Sequence, residues 1–106
     1  MRLFFIFVSK MDKQSIIKSI KEEKSFLTGE FGVEEIGLFG SYARGEETSE
    51  SDIDIFVSLK TPNLKSLMGV YTFLEKKLNK KIDLVRKGPH LSVRFLNLIK
   101  KDLIYV

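Results

Sequence analysis

The sequence has no cysteine and only one histidine among its 106 residues. The absence of cysteine excludes a disulfide scaffold and a thiolate metal site, and it is compatible with a reducing cytoplasm. A single histidine disfavours histidine-rich metal sites and a Ser-His-Asp triad. Any chemistry must therefore be carried out by carboxylates, hydroxyls, lysine and arginine.

Long apolar runs are also missing. The N-terminal run Leu3–Val8 has six residues, whereas a secretory signal needs about 7–15 apolar residues and a membrane span needs about 20. The sequence therefore predicts no membrane contact and a cytoplasmic location. We interpret residues 1–10 as an extension of uncertain status upstream of a single domain at 11–106. The alternative is that Leu3–Val8 adds an edge strand.

The overall charge is mildly basic, with a formal net charge of +4. Such a charge permits a polyanionic partner without requiring one. Basic and aromatic residues are not interleaved as they are in single-strand binding platforms, so nucleic acid is not the expected partner. The sequence is compatible with a homo-oligomer.

The hydrophobic periodicity predicts alternating helices and strands. Strands are predicted at 33–39, 52–59 and 81–85, and helices from Asp12 to Gly29, from Leu64 to about Asn79 and over 91–103, followed by an apolar tail at 104–106. Gly69 is expected to weaken the second helix without ending it. This order predicts an α/β (α+β) domain with a short mixed sheet and helices packed mainly on one face.

Two carboxylates lie on the second predicted strand. Asp52 and Asp54 are two residues apart, so they share one face of the strand and lie about 6.5–7 Å apart along it. Such a pair can bind two cations about 3.5–4 Å apart, the arrangement used in phosphoryl transfer. Mg²⁺ typically binds one or two carboxylates together with substrate phosphates. The alternative is an exposed strand edge that aspartate merely keeps polar.

A third carboxylate, Asp83, lies in the otherwise apolar strand "KIDLV". If this strand lies beside the second one, Asp83 completes a cluster of three acids. It could then bind metal and help to take a proton from an attacking hydroxyl. The alternative is a salt bridge to a neighbouring lysine.

The segment "FGSYARG" precedes these acids and begins with a tight glycine-serine turn, while "SYARGE" is predicted to form a short turn or one helical turn. At Gly40 the backbone N–H can approach an anion closely, and Ser41 adds a hydroxyl. Arg44 could pair with a phosphate or with a local carboxylate, Glu46 or Glu47. The pattern becomes specific because a strand precedes it and "SDID" follows on another strand.

Taken together, the stretch "GLFGSYARGEETSESDIDIFV" resembles the DNA polymerase beta-like nucleotidyltransferase superfamily. The form "GSYARG…SDID" is typical of its minimal nucleotidyltransferase (MNT) family, and the resemblance runs from about Asp12 to Val106. It implies a polymerase beta-like nucleotidyltransferase domain over 11–106. It also implies catalytic and metal-binding roles for three residues and phosphate-binding roles for three more: Asp52, Asp54 and Asp83, and Gly40, Ser41 and Arg44.

The resemblance further implies the reaction and a partner. Family members bind a nucleoside triphosphate with Mg²⁺ and transfer the nucleoside monophosphate to a hydroxyl. Here we expect ATP as the donor, two Mg²⁺ ions with Mn²⁺ as a substitute, and a hydroxyl on a protein as the acceptor. Many minimal members are antitoxins of small helical HEPN toxins, so such a toxin is the expected partner. The alternative is a non-catalytic antitoxin that masks its toxin and keeps a relict site.

Overall fold

Four helices and four strands follow one another along residues 11–106, the part of the chain that the computed structural model describes. In chain order they are α1 (Lys13–Phe31), β1 (Val33–Phe39), α2 (Gly40–Arg44), β2 (Ile53–Leu59), α3 (Leu64–Leu78), β3 (Ile82–Arg86), α4 (Val93–Lys100) and β4 (Ile104–Tyr105). The predicted extension at residues 1–10, and its alternative as an edge strand, lie outside the described residues.

The strands form one mixed sheet in the order β3-β2-β1-β4. β1 pairs antiparallel with β2 on one side and with β4 on the other, whereas β2 and β3 are parallel. A parallel pair needs a long crossover connection, and α3 supplies it. The predicted α+β class with a short mixed sheet is confirmed.

The hydrophobic core lies between one face of the sheet and the helices α1 and α3. Alternation along β2 sends every second side chain into this core, and Ile53, Ile55 and Val57 are fully buried there. Phe56 is also buried, but it lies outside this cluster, because its side chain points to the opposite face. That opposite face carries the acidic residues.

Helix α1 begins where the sequence predicts and ends later. Asp12 caps it through a capping box, accepting from the Ser15 N–H at 2.9 Å. The predicted stop at Gly29 is wrong, because the helix continues to Phe31 and ends at Gly32, which has a φ of 72°. A glycine inside a helix costs only about 1 kcal/mol. The packing of Phe31 against the core offsets that cost.

Helix α3 spans Gly69 without interruption, as predicted. A Cβ at Gly69 would overlap the ring of Phe31, so the missing side chain lets α1 and α3 approach closely. Asn79 ends the helix in the left-handed conformation, with a φ of 51°.

The C-terminal segment differs from the prediction in two respects. Helix α4 is shorter than the predicted 91–103, and Phe95 and Leu98 are 40% and 53% exposed on it, while Ile99 is buried. The apolar tail packs on the body as expected, and two of its residues form the edge strand β4, which was not predicted. Its end is fixed by the Val106 N–H, which donates to the Ile36 carbonyl at 2.9 Å.

The helices were also compared in length and apolarity with what a membrane span requires. Within residues 11–106, none is both long enough and apolar enough to cross a bilayer.

Candidate active site

Two of the predicted acids are neighbours across the parallel pair of strands. Asp54 of β2 lies directly beside Asp83 of β3 in the register, and adjacent strands are about 4.8 Å apart. Both side chains point away from the core, because Ile53 and Ile82, one residue earlier in each strand, are buried in it. Asp52 immediately precedes β2 and follows the same alternation.

The electrostatics of Asp54 reflect this crowding. Its pKa is raised from 3.8 to about 6, first by burial and then by repulsion from Asp83 and Asp52. Arg44 lowers the pKa in part, and a fourth acid, Asp102, raises it further. The negative charge of Asp54 is therefore disfavoured in the fold, and a nearby cation would stabilise it.

The glycine turn packs directly on Asp54. β1 ends at Phe39, which is paired with Asp54, and Gly40 follows with a φ of 78°. This backbone conformation favours glycine. A Cβ at Gly40 would also overlap the carboxylate Oδ2 of Asp54. Both the conformation and the space therefore require glycine, and Ser41 lies next to it at the start of α2.

Arg44 contacts two carboxylates. Its Nε donates to Glu46 Oε1 at 2.8 Å, as one predicted alternative has it, and its Nη1 donates to Asp102 Oδ2 at 2.7 Å. The Gly40 N–H donates to the same Asp102 oxygen at 3.1 Å. Glu46 and Asp102, in that order, raise the pKa of Arg44. Sequence reasoning missed Asp102, because "KKDL" has the pattern of an ordinary charged helix end.

A groove of about 310 Å³ borders Asp83. Its walls are residues of α3 and β3: Leu67, Met68, Tyr71, Ile82 and Leu84. The Tyr71 hydroxyl donates to Glu75 Oε2 at 2.7 Å, and its pKa is raised by Glu75 first and by burial, with Asp52 and Asp83 contributing. Sequence reasoning treated Tyr71 only as part of a helix stripe.

The donor set suits a hard divalent cation, since it consists of carboxylate oxygens. Gly40 leaves room for the Asp54 carboxylate, and the raised pKa of Asp54 indicates repulsion that a cation would relieve. However, the part of the chain that the structure describes has no group of three acidic, histidine or cysteine side chains that could hold a metal by itself. Further ligands would come from water and from the phosphates of a substrate.

Comparison with known proteins places the chain in a family. The family model of the nucleotidyltransferase domain matches residues 15–106. A Methanocaldococcus jannaschii protein provisionally named protein adenylyltransferase MJ1379 is 41% identical over 100 residues, covering 91% of this chain and 100% of that protein. The chain therefore belongs to the nucleotidyltransferase domain family, and the predicted nucleotidyltransferase is confirmed.

Solved structures share the fold. One provisionally described as a minimal nucleotidyltransferase has a TM-score of 0.74 and 27% identity, covering 91% of this chain and 97% of that chain. A crystal structure of a toxin–antitoxin complex with AMP-PNP has a TM-score of 0.63 and 24% identity, covering 90% and 72%. The first agrees with the minimal type inferred from "GSYARG…SDID", and the second shows the fold alone.

Proposed function

We propose that the protein is a cytoplasmic, Mg²⁺-dependent adenylyltransferase that transfers AMP from ATP to a hydroxyl of a partner protein. The observation that carries the proposal is the juxtaposition of Asp54, Asp83 and Gly40 on one end of the sheet. The name of the M. jannaschii relative, protein adenylyltransferase, supports the choice of AMP and of a protein acceptor.

The proposed metal ligands are Asp52, Asp54 and Asp83. Asp54 is half-buried among like charges, so binding a cation there removes repulsion as well as adding a ligand bond. When bound, Mg²⁺ would polarise the α-phosphate and neutralise charge that develops on the leaving group. Phosphate oxygens would complete its coordination, in keeping with the usual mixed ligand set of Mg²⁺.

The glycine turn is the proposed site of the β- and γ-phosphates. The Gly40 N–H and the Arg44 guanidinium point to a common position, since both donate to one carboxylate oxygen. Donors that share one oxygen of a carboxylate can also share one oxygen of a phosphate. Ser41 would add its hydroxyl to these two donors.

Asp83 is the proposed proton acceptor. In the reaction, the acceptor oxygen forms a bond to the α-phosphorus while the bond from that phosphorus to the bridging oxygen breaks. Pyrophosphate leaves, and the hydroxyl proton passes to Asp83. The groove of Leu67, Met68 and Tyr71 borders this carboxylate and would admit the acceptor side chain.

The partner belongs to the proposal too. The toxin–antitoxin structure with AMP-PNP contains the same fold, and many members of the minimal family that this chain resembles are antitoxins. We therefore propose a small helical HEPN-type toxin as the acceptor, and its neutralisation as the purpose of the transfer.

Capture from host lysate tests the proposal. The tagged protein is incubated in lysate of its own host with Mg-ATP, and the intact mass of each co-purifying protein is measured. We expect a partner heavier by one or more AMP groups with the wild type, and the unmodified partner with the Asp52→Asn/Asp54→Asn double variant. Equal modification by the variant would contradict the assigned metal ligands.

The second candidate function is a binding antitoxin that masks its toxin without transfer. One observation favours it: Val93, Phe95 and Leu98 of α4 are 75%, 40% and 53% exposed, so α4 presents an apolar surface. In the same experiment this candidate predicts a partner that co-purifies unmodified with both proteins.

A further inference from the structure

One carboxylate oxygen holds two of the groups that the proposed function assigns to phosphate. Asp102 Oδ2 accepts from the Gly40 N–H at 3.1 Å and from Arg44 Nη1 at 2.7 Å. Asp102 is 62 residues from Gly40 in the chain, between α4 and β4. A carboxylate oxygen accepts from such donors in the same way as a phosphate oxygen does. Asp102 therefore lies against the glycine turn as an internal anion.

The position of Asp102 is built into the fold. The residues after it form β4, where Ile104 and Tyr105 pair with β1. Gly37 of β1 leaves the space that the Leu103 side chain occupies, since a Cβ there would overlap it. The Asp102 side chain is only 18% exposed. A strand anchored to the sheet thus delivers this carboxylate to the site.

We propose that Asp102 competes with the triphosphate for Gly40 and Arg44 and thereby sets the affinity of the site for nucleotide. The proposal rests on the proposed function, because it takes these two donors as phosphate ligands. An incoming phosphate oxygen needs the donors that Asp102 holds, and two anions at one position repel each other. The nucleotide must therefore displace the Asp102 carboxylate before its phosphates bind the turn.

The opposite role is that Asp102 orients the two donors for phosphate. The two roles predict opposite changes in polyphosphate affinity when Asp102 is neutralised. If Asp102 competes, neutralising it strengthens binding of a polyphosphate. If Asp102 orients Arg44, neutralising it releases the guanidinium and weakens binding.

Calorimetric titration with inorganic tripolyphosphate, without Mg²⁺, distinguishes the two roles and is independent of catalysis. The proteins compared are the full-length wild type, Asp102→Asn, Asp102→Ala and Arg44→Ala. We expect both Asp102 variants to bind tripolyphosphate about tenfold more tightly than the wild type does. A tenfold change in Kd corresponds to about the lower limit of the free energy of one charge-assisted hydrogen bond. Arg44→Ala should bind more weakly than the wild type.

Glu46→Gln is the matched control. It removes an equal charge from the same guanidinium, where Glu46 Oε1 accepts from Nε at 2.8 Å, but Glu46 does not hold the Gly40 N–H. We expect a smaller gain than with Asp102→Asn. An equal gain would overturn the inference, because general charge reduction would then explain the effect.

The remaining outcomes also decide the matter. Unchanged or weaker binding by both Asp102 variants, with normal binding by the wild type, overturns the inference and leaves the proposed function standing. Unchanged binding by Arg44→Ala removes Arg44 as a phosphate ligand and overturns the inference as well. No binding by any of the proteins contradicts the phosphate site itself. Circular dichroism verifies that each variant folds, and Asp102→Asn keeps an oxygen for the Gly40 N–H.

Discussion

Gly40 packs its bare Cα against the carboxylate of Asp54, so that no side chain fits between the glycine turn and the central acid of β2. The contact joins the end of β1 to β2 at the paired residues Phe39 and Asp54. The turn and the carboxylate therefore form one structural unit, and a substitution at Gly40 or at Asp54 should alter the conformation of the other residue.

Replacing Gly40 by alanine should therefore disrupt both stability and activity. The left-handed backbone costs about 1 kcal/mol for alanine, and the new methyl group must also push Asp54 aside. Gly45→Ala is the matched control, because Gly45 has a similar φ of 71° but has open space where a Cβ would lie. Urea denaturation should show a larger loss for Gly40→Ala, and transfer should fall only in that variant. Equal losses would mean that the Asp54 contact has no effect.

Asp54→Asn should stabilise the metal-free protein at pH 7.5. Because the pKa of Asp54 is raised in the fold to about 6, the folded state binds the proton more tightly than the unfolded state does. The free energy of unfolding therefore falls as the pH rises from about 4 to 6, and the penalty is fully present above that range. After allowance for solvent screening, we expect a gain of about 1 kcal/mol at pH 7.5.

The pH dependence provides the check on this prediction. Chemical denaturation of the wild type and of Asp54→Asn should give converging stabilities as the pH is lowered to 4. Glu50→Gln, which neutralises an exposed loop carboxylate, should change the stability by less than about 0.5 kcal/mol at either pH. A gain for Asp54→Asn that is equally large at pH 4 would show that ionisation is not its cause.

Mg²⁺ and a non-hydrolysable ATP analogue should stabilise the wild-type protein together. A ligand that binds only the folded state at about 100 times its Kd adds about 2.7 kcal/mol, which raises Tm by at least several degrees in a domain of this size. Chelation of the metal should reverse most of the shift. Asp52→Asn should still fold without ligand, but it should lose the metal-dependent part of the rise in Tm. An undiminished rise in that variant would mean that Asp52 is not a metal ligand.

Two glycines of the helical layer should respond to alanine with opposite signs. Gly69 lies against the ring of Phe31, so Gly69→Ala separates α1 from α3 and should cost about 1–3 kcal/mol. Gly29 lies inside α1 with nothing near its Cβ position, so Gly29→Ala should gain about 0.5–1 kcal/mol. Thermal or urea unfolding measures both changes. A neutral Gly69→Ala would mean that the helices can separate without loss.

Local sequence signals account for much of this structure. The alternation around Asp54 and the single acid in "KIDLV" predict two strands with their carboxylates on one face, and the parallel register places Asp54 beside Asp83. The glycine turn follows from its position between strands. The metal, phosphate and catalytic roles of these residues stay predictions, as does the division at residue 10.

The errors arise where long-range packing decides the outcome. The end of α1 depends on the packing of Phe31 against Gly69 of α3. This packing outweighs the small loss of helix propensity at Gly29. No neighbouring strand joined by a tight turn signals β4 in the sequence. Its pairing partner is β1, which is far away in the chain. Asp102 could not be assigned to the site, because only that pairing brings it to Gly40.

The parallel pairing of β2 with β3 also determines at which step of folding the acidic cluster forms. Asp54 precedes the α3 crossover and Asp83 follows it, so their repulsion begins only when β3 docks beside β2. This repulsion therefore changes either the folding rate or the unfolding rate, depending on when β3 docks. Asp83→Asn should accelerate folding if β3 docks before the barrier, and should slow unfolding if it docks afterwards. The residues proposed for catalysis would thus report the order in which the sheet is assembled.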